Sequence, residues 1–273
     1  MTVVIPTYNR AALLKEALDS VVAQTFKKWE VVVIDNYSTD NTPEMIAGYR
    51  DPRIRLISFS KNRVIAASRN EGVRQAAAPL IAFLDSDDFW YPTKLEVSLD
   101  ALARGYDVVC HNERFVYGNI PSGKLTIGKK ASVRFRDLLL IRNCLSPSAV
   151  SMRKAVFEAA GGFSEDPEIN TAEDYELWLK LARMGVAIKL MPEEVLGGYR
   201  IHGSNSSGAI SRHRDAARAV VTTHFKSETS WAPVDKVFFR RRLACIDYVA
   251  LRGCIKGREF RLAFKYIKSA LCQ

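Results

Sequence analysis

No apolar run in this 273-residue chain approaches the roughly 20 residues of a bilayer-spanning helix, so no transmembrane segment is expected. Glycine-rich phosphate cradles are missing as well. The first apolar strand is not followed by GxGxxG, and no GxxxxGK followed by Ser or Thr occurs, which sets aside dinucleotide-binding dehydrogenases and P-loop enzymes. The five cysteines, Cys110, Cys144, Cys245, Cys254 and Cys272, are an odd, widely spaced set without a CxxC pair. Reduced thiols are therefore expected, with neither a zinc cluster nor a disulfide framework. Met1 runs straight into Val3-Val4-Ile5 without a basic segment and a leader-length apolar stretch. No signal peptide is expected, and the location expected is cytoplasmic. Internal repeats and low-complexity linkers are also absent.

What is present is a globular composition, 48% hydrophobic, with a formal charge of +10. Such a charge calls for an anionic partner: a phosphate-bearing substrate, an acidic membrane surface or nucleic acid. Its position narrows the choice. Residues 235–273 hold ten basic side chains against three acidic ones, a net of +7, which leaves +3 for the first 234 residues. No recognised nucleic-acid-binding motif accompanies the charge, and no nucleic-acid partner is expected.

Along the chain, apolar strands alternate with helical periodicity. Strands are expected at Val3 to Ile5, Trp29 to Asp35, Ile54 to Phe59 and Leu80 to Asp85, with helices between them. The alternation argues for an α/β, doubly wound, mostly parallel sheet, and right-handed crossovers then gather the loops after these strands at one sheet edge. Further on, a strand is expected at Asp107 to His111, polar excursions over 112–133, a helix opening at Glu173-Asp174, and two strands, Val186 to Met191 and Val195 to Arg200. The composition shift near Ser211 divides an α/β domain, 1–210, from a basic helical extension, 211–273.

The stretch Leu80-Ile-Ala-Phe-Leu-Asp-Ser-Asp-Asp-Phe-Trp90 carries the most chemistry. A strand buried on both faces runs out into Asp85, Asp87 and Asp88, and in open α/β sheets ligands bind at that carboxyl edge. Hard carboxylate oxygens suit Mg²⁺ or Mn²⁺ together with substrate phosphates. The same residues also suit a solvated acidic turn, and the stretch alone leaves both readings open.

Seven stretches in order resemble the inverting, nucleotide-sugar-dependent glycosyltransferases of family 2, with the Rossmann-like GT-A fold. They are Val3 to Arg10 (VVIPTYNR), Ile34-Asp35 through Asp40-Asn41-Thr42, Ser68-Arg69-Asn70-Glu71-Gly72, Phe83 to Asp88 (FLDSDD), Gly161-Gly162-Phe163, Glu173 to Trp178 (EDYELW) and Tyr199-Arg200-Ile201-His202. Together they span about residues 2 to 207. The resemblance implies roles residue by residue. Pro6, Thr7 and Tyr8 would line the nucleotide, Asp35 would hydrogen-bond the base, and Arg69 and Ser86 would lie beside the nucleotide. Asp85 and Asp87 match the two acids of the DxD motif, Asp85 at the ribose and Asp87 on the metal, with His202 helping to hold metal or diphosphate. Asp174, paired with Glu173, matches the general base. The implied partners are a nucleotide-sugar donor and a saccharide or lipid-linked acceptor, in the assembly of bacterial surface polysaccharide. Many relatives read Asp-Asp-Gly-Ser where this chain has Asp35-Asn36-Tyr37-Ser38, so Tyr37 stands where a residue free to adopt positive φ is usual. UDP is taken as the nucleotide because it is the commonest in the family.

His111, His213 and His224 show no partner pattern and are read as packing or surface residues. In the tail, Phe260, Phe264, Ile267 and Leu271 form an apolar stripe flanked by Arg258, Arg261, Lys265 and Lys268. Such a helix can lie on an anionic membrane at the inner face of the cell membrane or pack on the catalytic domain. A sugar-nucleotide-binding subunit without turnover is the alternative to an enzyme.

Overall fold

The computed structural model describes residues 1–61, 64–118, 120–128, 131–202, 210–257 and 259–271. Four strands open the chain: β1 (Thr2–Thr7), β2 (Glu30–Asp35), β3 (Ile54–Ser58) and β4 (Leu80–Phe83). Between them run helices α1 (Ala11–Val22), α2 (Thr42–Ala47) and α3 (Ile65–Arg74). The four strands are parallel, in the order β3-β2-β1-β4. Val3, Val4, Ile5 and Val31 to Ile34 are wholly buried, as continuous β-branched runs in a sheet covered on both faces must be. α1 buries Leu14, Ala17, Leu18 and Val21, the i, i+3, i+4, i+7 set of its apolar stripe.

The second half continues the same sheet. After β5 (Phe89–Trp90) and α4 (Lys94–Ala103) come β6 (Val108–Tyr117), β7 (Ile120–Leu125), α5 (Phe135–Leu140), β8 (Val150–Arg153), α6 (Lys154–Ala159), α7 (Glu173–Arg183) and β9 (Ile188–Ile201). The order runs on as β4-β8-β6-β9-β5, with β7 on the flank of β6. β8 is antiparallel to β4 and β6, whereas β6 and β9 are parallel. The sheet is thus mixed but mostly parallel, its first four strands wholly so.

Two expectations change here. The segment from 112 on is not loop excursion: β6 continues to Tyr117 and turns back as β7. Its exposed flank strand needs no apolar alternation, so no period-2 signal marked it. The two strands expected over 186–200 are one, β9. Its register against β6 shifts between Met191 and Gly197, where Pro192 has no N–H to give the ladder.

Beyond Arg200 the chain is helical: α8 (Ile210–Lys226), α9 (Pro233–Lys256) and α10 (Phe260–Leu271). Ala216, Ala217, Val220 and Val221 of α8 and Leu243 and Ile246 of α9 share one core with Ile81, Phe83, Leu177 and Trp178. The buried Asp247 of α9 receives Arg214 at 2.7 Å and Arg218 at 2.8 Å, both from α8. The extension is thereby clamped against the sheet-bearing layer. Cys110, Cys144 and Cys254 are buried, Cys245 is exposed, and all four are free. Cys272 and the loop 203–207 after His202 lie outside the described residues, as does Arg258.

Candidate active site

The carboxyl ends of β1, β2 and β4 meet at one cleft, and each end is shaped by its own sequence. Behind β1, Asn9 takes φ +50 and its side-chain oxygen accepts the Thr39 N–H at 2.7 Å, while its own N–H donates to the Ser38 hydroxyl at 2.8 Å. The loops after β1 and β2 are therefore latched together. Asp40 accepts from the first N–H of α1, at Ala11, and from Thr42 at the start of α2, one carboxylate serving two positive helix ends. Tyr37 adopts φ +57 despite its side chain, which is largely exposed.

Asp85, Asp87 and Asp88 each bring a carboxylate oxygen within 4.8 Å of the others. Ser148, just before β8, organises them. Its hydroxyl accepts the Asp85 N–H at 3.1 Å and donates to Asp88 at 2.6 Å. The second Asp88 oxygen accepts the Arg200 backbone N–H at 2.8 Å, so Asp88 is the framework carboxylate that ties the loop to β9. Burial, reinforced by Glu113, Asp87 and Asp85, raises its pKa well above the usual range. Asp87 pairs with Arg10 and with His202 Nε2 at 3.0 Å. Hard carboxylate oxygens this close together suit a divalent cation, with Asp87 and Asp85 as residues that could hold it and His202 beside Asp87.

Arg69, fully buried on α3, joins this cluster to the other side of the cleft. Its guanidinium donates to Asp85 at 2.6 Å and to Glu173 at 2.7 Å. It can sit so deep because α3 lies close on β1: a Cβ on Gly72 would come within 2.3 Å of Val4. Although burial opposes its charge, Asp85 and Glu173 raise the Arg69 pKa. Glu173 also accepts the Thr171 N–H at 2.9 Å. With both its oxygens engaged, Glu173 orients its surroundings. Among the described residues its neighbour Asp174 accepts only the adjacent Tyr175 N–H. Burial and the charge of Glu173 push Asp174 up to about 7, with Arg69 opposing the rise.

A cavity of about 460 Å³ unites these groups. Pro6, Thr7, Tyr8, Arg69, Asp85, Ser86, Asp87, Glu173 and Asp174, nine of the residues picked from sequence, all line it. Asp35 stands behind the wall, buried, its carboxylate accepting the Ser38 N–H at 3.1 Å, while the neighbouring Asn36 faces the cavity. His202 reaches the site through Asp87. Sequence reasoning gave no role to Arg10, Ser146 or Ser148, although Arg10 closes the VVIPTYNR stretch, and it read His213 as packing or surface, whereas His213 lines the cavity and meets the Thr171 carbonyl. Ser146 and Ser148 lie in the short turn before β8 and His213 on the apolar-periodic α8, and no recognisable motif marks them. Behind the acidic cluster lies a buried polar layer. Lys94 donates to Ser151 at 2.7 Å above the Trp90 ring, and burial pushes Glu113 up to about 7.

With this geometry in place, comparison with known proteins is direct. Residues 2–160 match the family model described as glycosyl transferase family 2, and the chain belongs to that family. WfgD of Escherichia coli, a UDP-Glc:alpha-D-GlcNAc-diphosphoundecaprenol beta-1,3-glucosyltransferase, is 30% identical over 211 residues, covering 76% of this chain and 79% of WfgD. TuaG of Bacillus subtilis, a putative teichuronic acid biosynthesis glycosyltransferase, is 27% identical, covering 84% and 91%. An uncharacterised glycosyltransferase of Rickettsia conorii is 29% identical over 79% of this chain, which spans only 36% of that longer protein. Among solved structures, a Staphylococcus aureus TarS fragment in complex with UDP-GlcNAc superposes with TM-score 0.68 at 20% identity, over 90% of this chain and 70% of that fragment. The mannosyltransferase PcManGT of Pyrobaculum calidifontis, in complex with GDP-Man and Mn²⁺, gives 0.65 at 20% identity, over 99% and 74%. The fold is the GT-A fold.

Proposed function

We propose that the chain is an inverting, metal-dependent hexosyltransferase that moves a sugar from a UDP-sugar to a hydroxyl of a saccharide or lipid-linked acceptor in surface polysaccharide assembly. One observation carries the reading: Asp174 and the acidic cluster around Asp87 line a single cavity, and Arg69 links Asp85 of that cluster to Glu173 beside Asp174. Asp87, Asp85 and His202 would hold Mn²⁺ or Mg²⁺, which would supply Lewis-acid stabilisation of charge on the departing diphosphate. Pro6, Thr7 and Tyr8 form the nucleotide wall, with Asn36 and Ser86 beside them and Asp35 supporting from behind. Asp174 accepts the acceptor hydroxyl proton as that oxygen bonds to the anomeric carbon and the anomeric carbon–phosphate oxygen bond breaks. Attack from the face opposite the leaving group inverts the centre. The activity of WfgD, on a diphosphoundecaprenol-linked GlcNAc, supports this acceptor class, the teichuronic acid role assigned to TuaG supports a place in polysaccharide assembly, and the UDP-GlcNAc complex of TarS supports the donor class.

A thermal-shift titration tests the cation site. With UDP and Mn²⁺ at about 100 times the dissociation constant, ligand binding stabilises the native state by about 2.7 kcal/mol. Asp87→Asn is expected to lose most of that gain. A UDP response indifferent both to Mn²⁺ and to this substitution would remove the cation from the reading. Metal-dependent UDP binding with no transfer to any acceptor would favour a non-catalytic subunit instead.

The extension supports a peripheral place at an anionic membrane. No helix among the described residues is long and apolar enough to cross a bilayer. On α9, however, Val234, Val237, Arg241, Cys245, Tyr248, Arg252 and Ile255 are exposed at helical spacing, opposite the buried Leu243, Ile246 and Ala250. On α10, Phe264 is 72% exposed, while Ala263 and Tyr266 pack on α9. Because α9 also carries core residues, truncation is the wrong test. Val237→Glu with Tyr248→Glu is expected to reduce sedimentation with phosphatidylglycerol-containing vesicles at least tenfold, each lost basic or apolar contact weighing on the order of 1 kcal/mol. Unchanged sedimentation would leave α9 as a solvated face.

A further inference from the structure

We infer that His213, on the C-terminal helix α8, is a positioning residue for the base-bearing turn and thereby makes the extension part of the catalytic apparatus. The inference rests on the transferase reading of Asp174. His213 Nδ1 lies 2.9 Å from the carbonyl oxygen of Thr171. A carbonyl only accepts, so Nδ1 carries the proton in this contact, whether the ring is neutral or charged. Thr171 needs such a hold. It is a β-branched residue at φ +87, a region that side chains of its kind rarely enter, and such a backbone persists only where its surroundings over-determine it.

Thr171 is held from two sides. Its carbonyl takes the His213 proton, and its N–H donates to Glu173, whose other oxygen takes Arg69. A chain of contacts therefore runs from α8 through Thr171, Glu173 and Arg69 to Asp85. Asp174 follows Glu173 directly at the start of α7, so the backbone at 171 sets where that carboxylate enters the cleft. His213, Thr171 and Asp174 all line the cavity. The short 3-10 turn Pro167–Ile169 ahead of Thr171 packs on α8, and α8 is itself fixed by Arg214 and Arg218 on Asp247.

Substitution chemistry separates this role from direct ligand contact. The amide nitrogen of Asn occupies the Nδ1 position of His, whereas that of Gln occupies the Nε2 position. His213→Gln and His213→Ala are expected to lower kcat on the order of 10²-fold, the cost of misplacing a reacting group by about 1 Å, with UDP–Mn²⁺ affinity within twofold of wild type. His213→Asn is expected to recover most of the loss. The assay is UDP release from UDP-glucose with a synthetic lipid-diphosphate-linked N-acetylglucosamine. Hydrogen–deuterium exchange of the unliganded protein gives a readout that needs no substrate: amides 170–175 should exchange at least tenfold faster in His213→Gln and near wild-type rates in His213→Asn. Rescue by Gln rather than Asn would mean that Nε2 touches a ligand and would overturn the inference. So would unchanged exchange in His213→Gln, whether or not the wild-type chain turns over these two substrates.

Discussion

Asp174→Asn is expected to lower kcat by about 10²–10⁴-fold, the range a general base contributes, while UDP–Mn²⁺ affinity stays within twofold. The amide keeps the volume and the hydrogen bond from the Tyr175 N–H but cannot take a proton. Because burial and Glu173 push Asp174 up to about 7, the wild-type kcat/KM should fall as pH drops below 7, with about a tenth of the activity left at pH 6. The linked effect on stability has the opposite benefit. A carboxyl with a raised folded pKa holds a proton that the unfolded chain has lost, so the fold loses stability from about pH 4 up to about pH 7. Asp174→Asn escapes that loss and should melt no lower than wild type at pH 8. A variant that loses nucleotide affinity and activity together, or that melts well below wild type, would make Asp174 a structural residue.

Arg69→Ala should be the most destabilising substitution in the cleft, by about 3–5 kcal/mol, because it strands the carboxylates of Glu173 and Asp85 without their shared counter-charge. Arg69→Lys should recover only part of this, since an ammonium is a point charge and cannot fork between two carboxylates as the guanidinium does. Urea unfolding monitored by circular dichroism measures both, as shifts in midpoint at constant slope. A loss under about 1 kcal/mol for Arg69→Ala would mean that the two acids take up protons or solvent without cost. Arg69 also opposes the rise in the Asp174 pKa, so the acid limb of the rate profile should move to higher pH in Arg69→Lys.

Much of this site was legible because its residues sit at the ends of strands whose apolar runs are unmistakable. Val3 to Ile5, Val31 to Ile34 and Leu80 to Phe83 fix where the chain leaves the sheet, and parallel topology brings those exits together. What escaped were groups whose role depends on strands and helices far away in sequence. Ser148 matters because β8 happens to enter antiparallel beside β4, and nothing local to Pro147-Ser148-Ala149 signals that pairing. His213 has no partner within its own helix; its partner is a main-chain carbonyl 42 positions earlier, invisible to any reading of side-chain types. The hairpin after His111 was missed because β6 continues through the buried but polar Asn112 and Glu113, and because β7, exposed along most of its length, carries no apolar alternation.

The Arg200 amide reaches Asp88 with its main chain, so the side chain at position 200 takes no part in that tether and instead pairs with Glu16 at 2.7 Å. The final strand works as a ruler laid against the acidic loop, with His202 two divisions past the mark. His202 stands one residue beyond the strand, so an extra residue between the mark and the imidazole would displace His202 from Asp87. Spacing, more than residue identity, is what this end of the chain has to preserve.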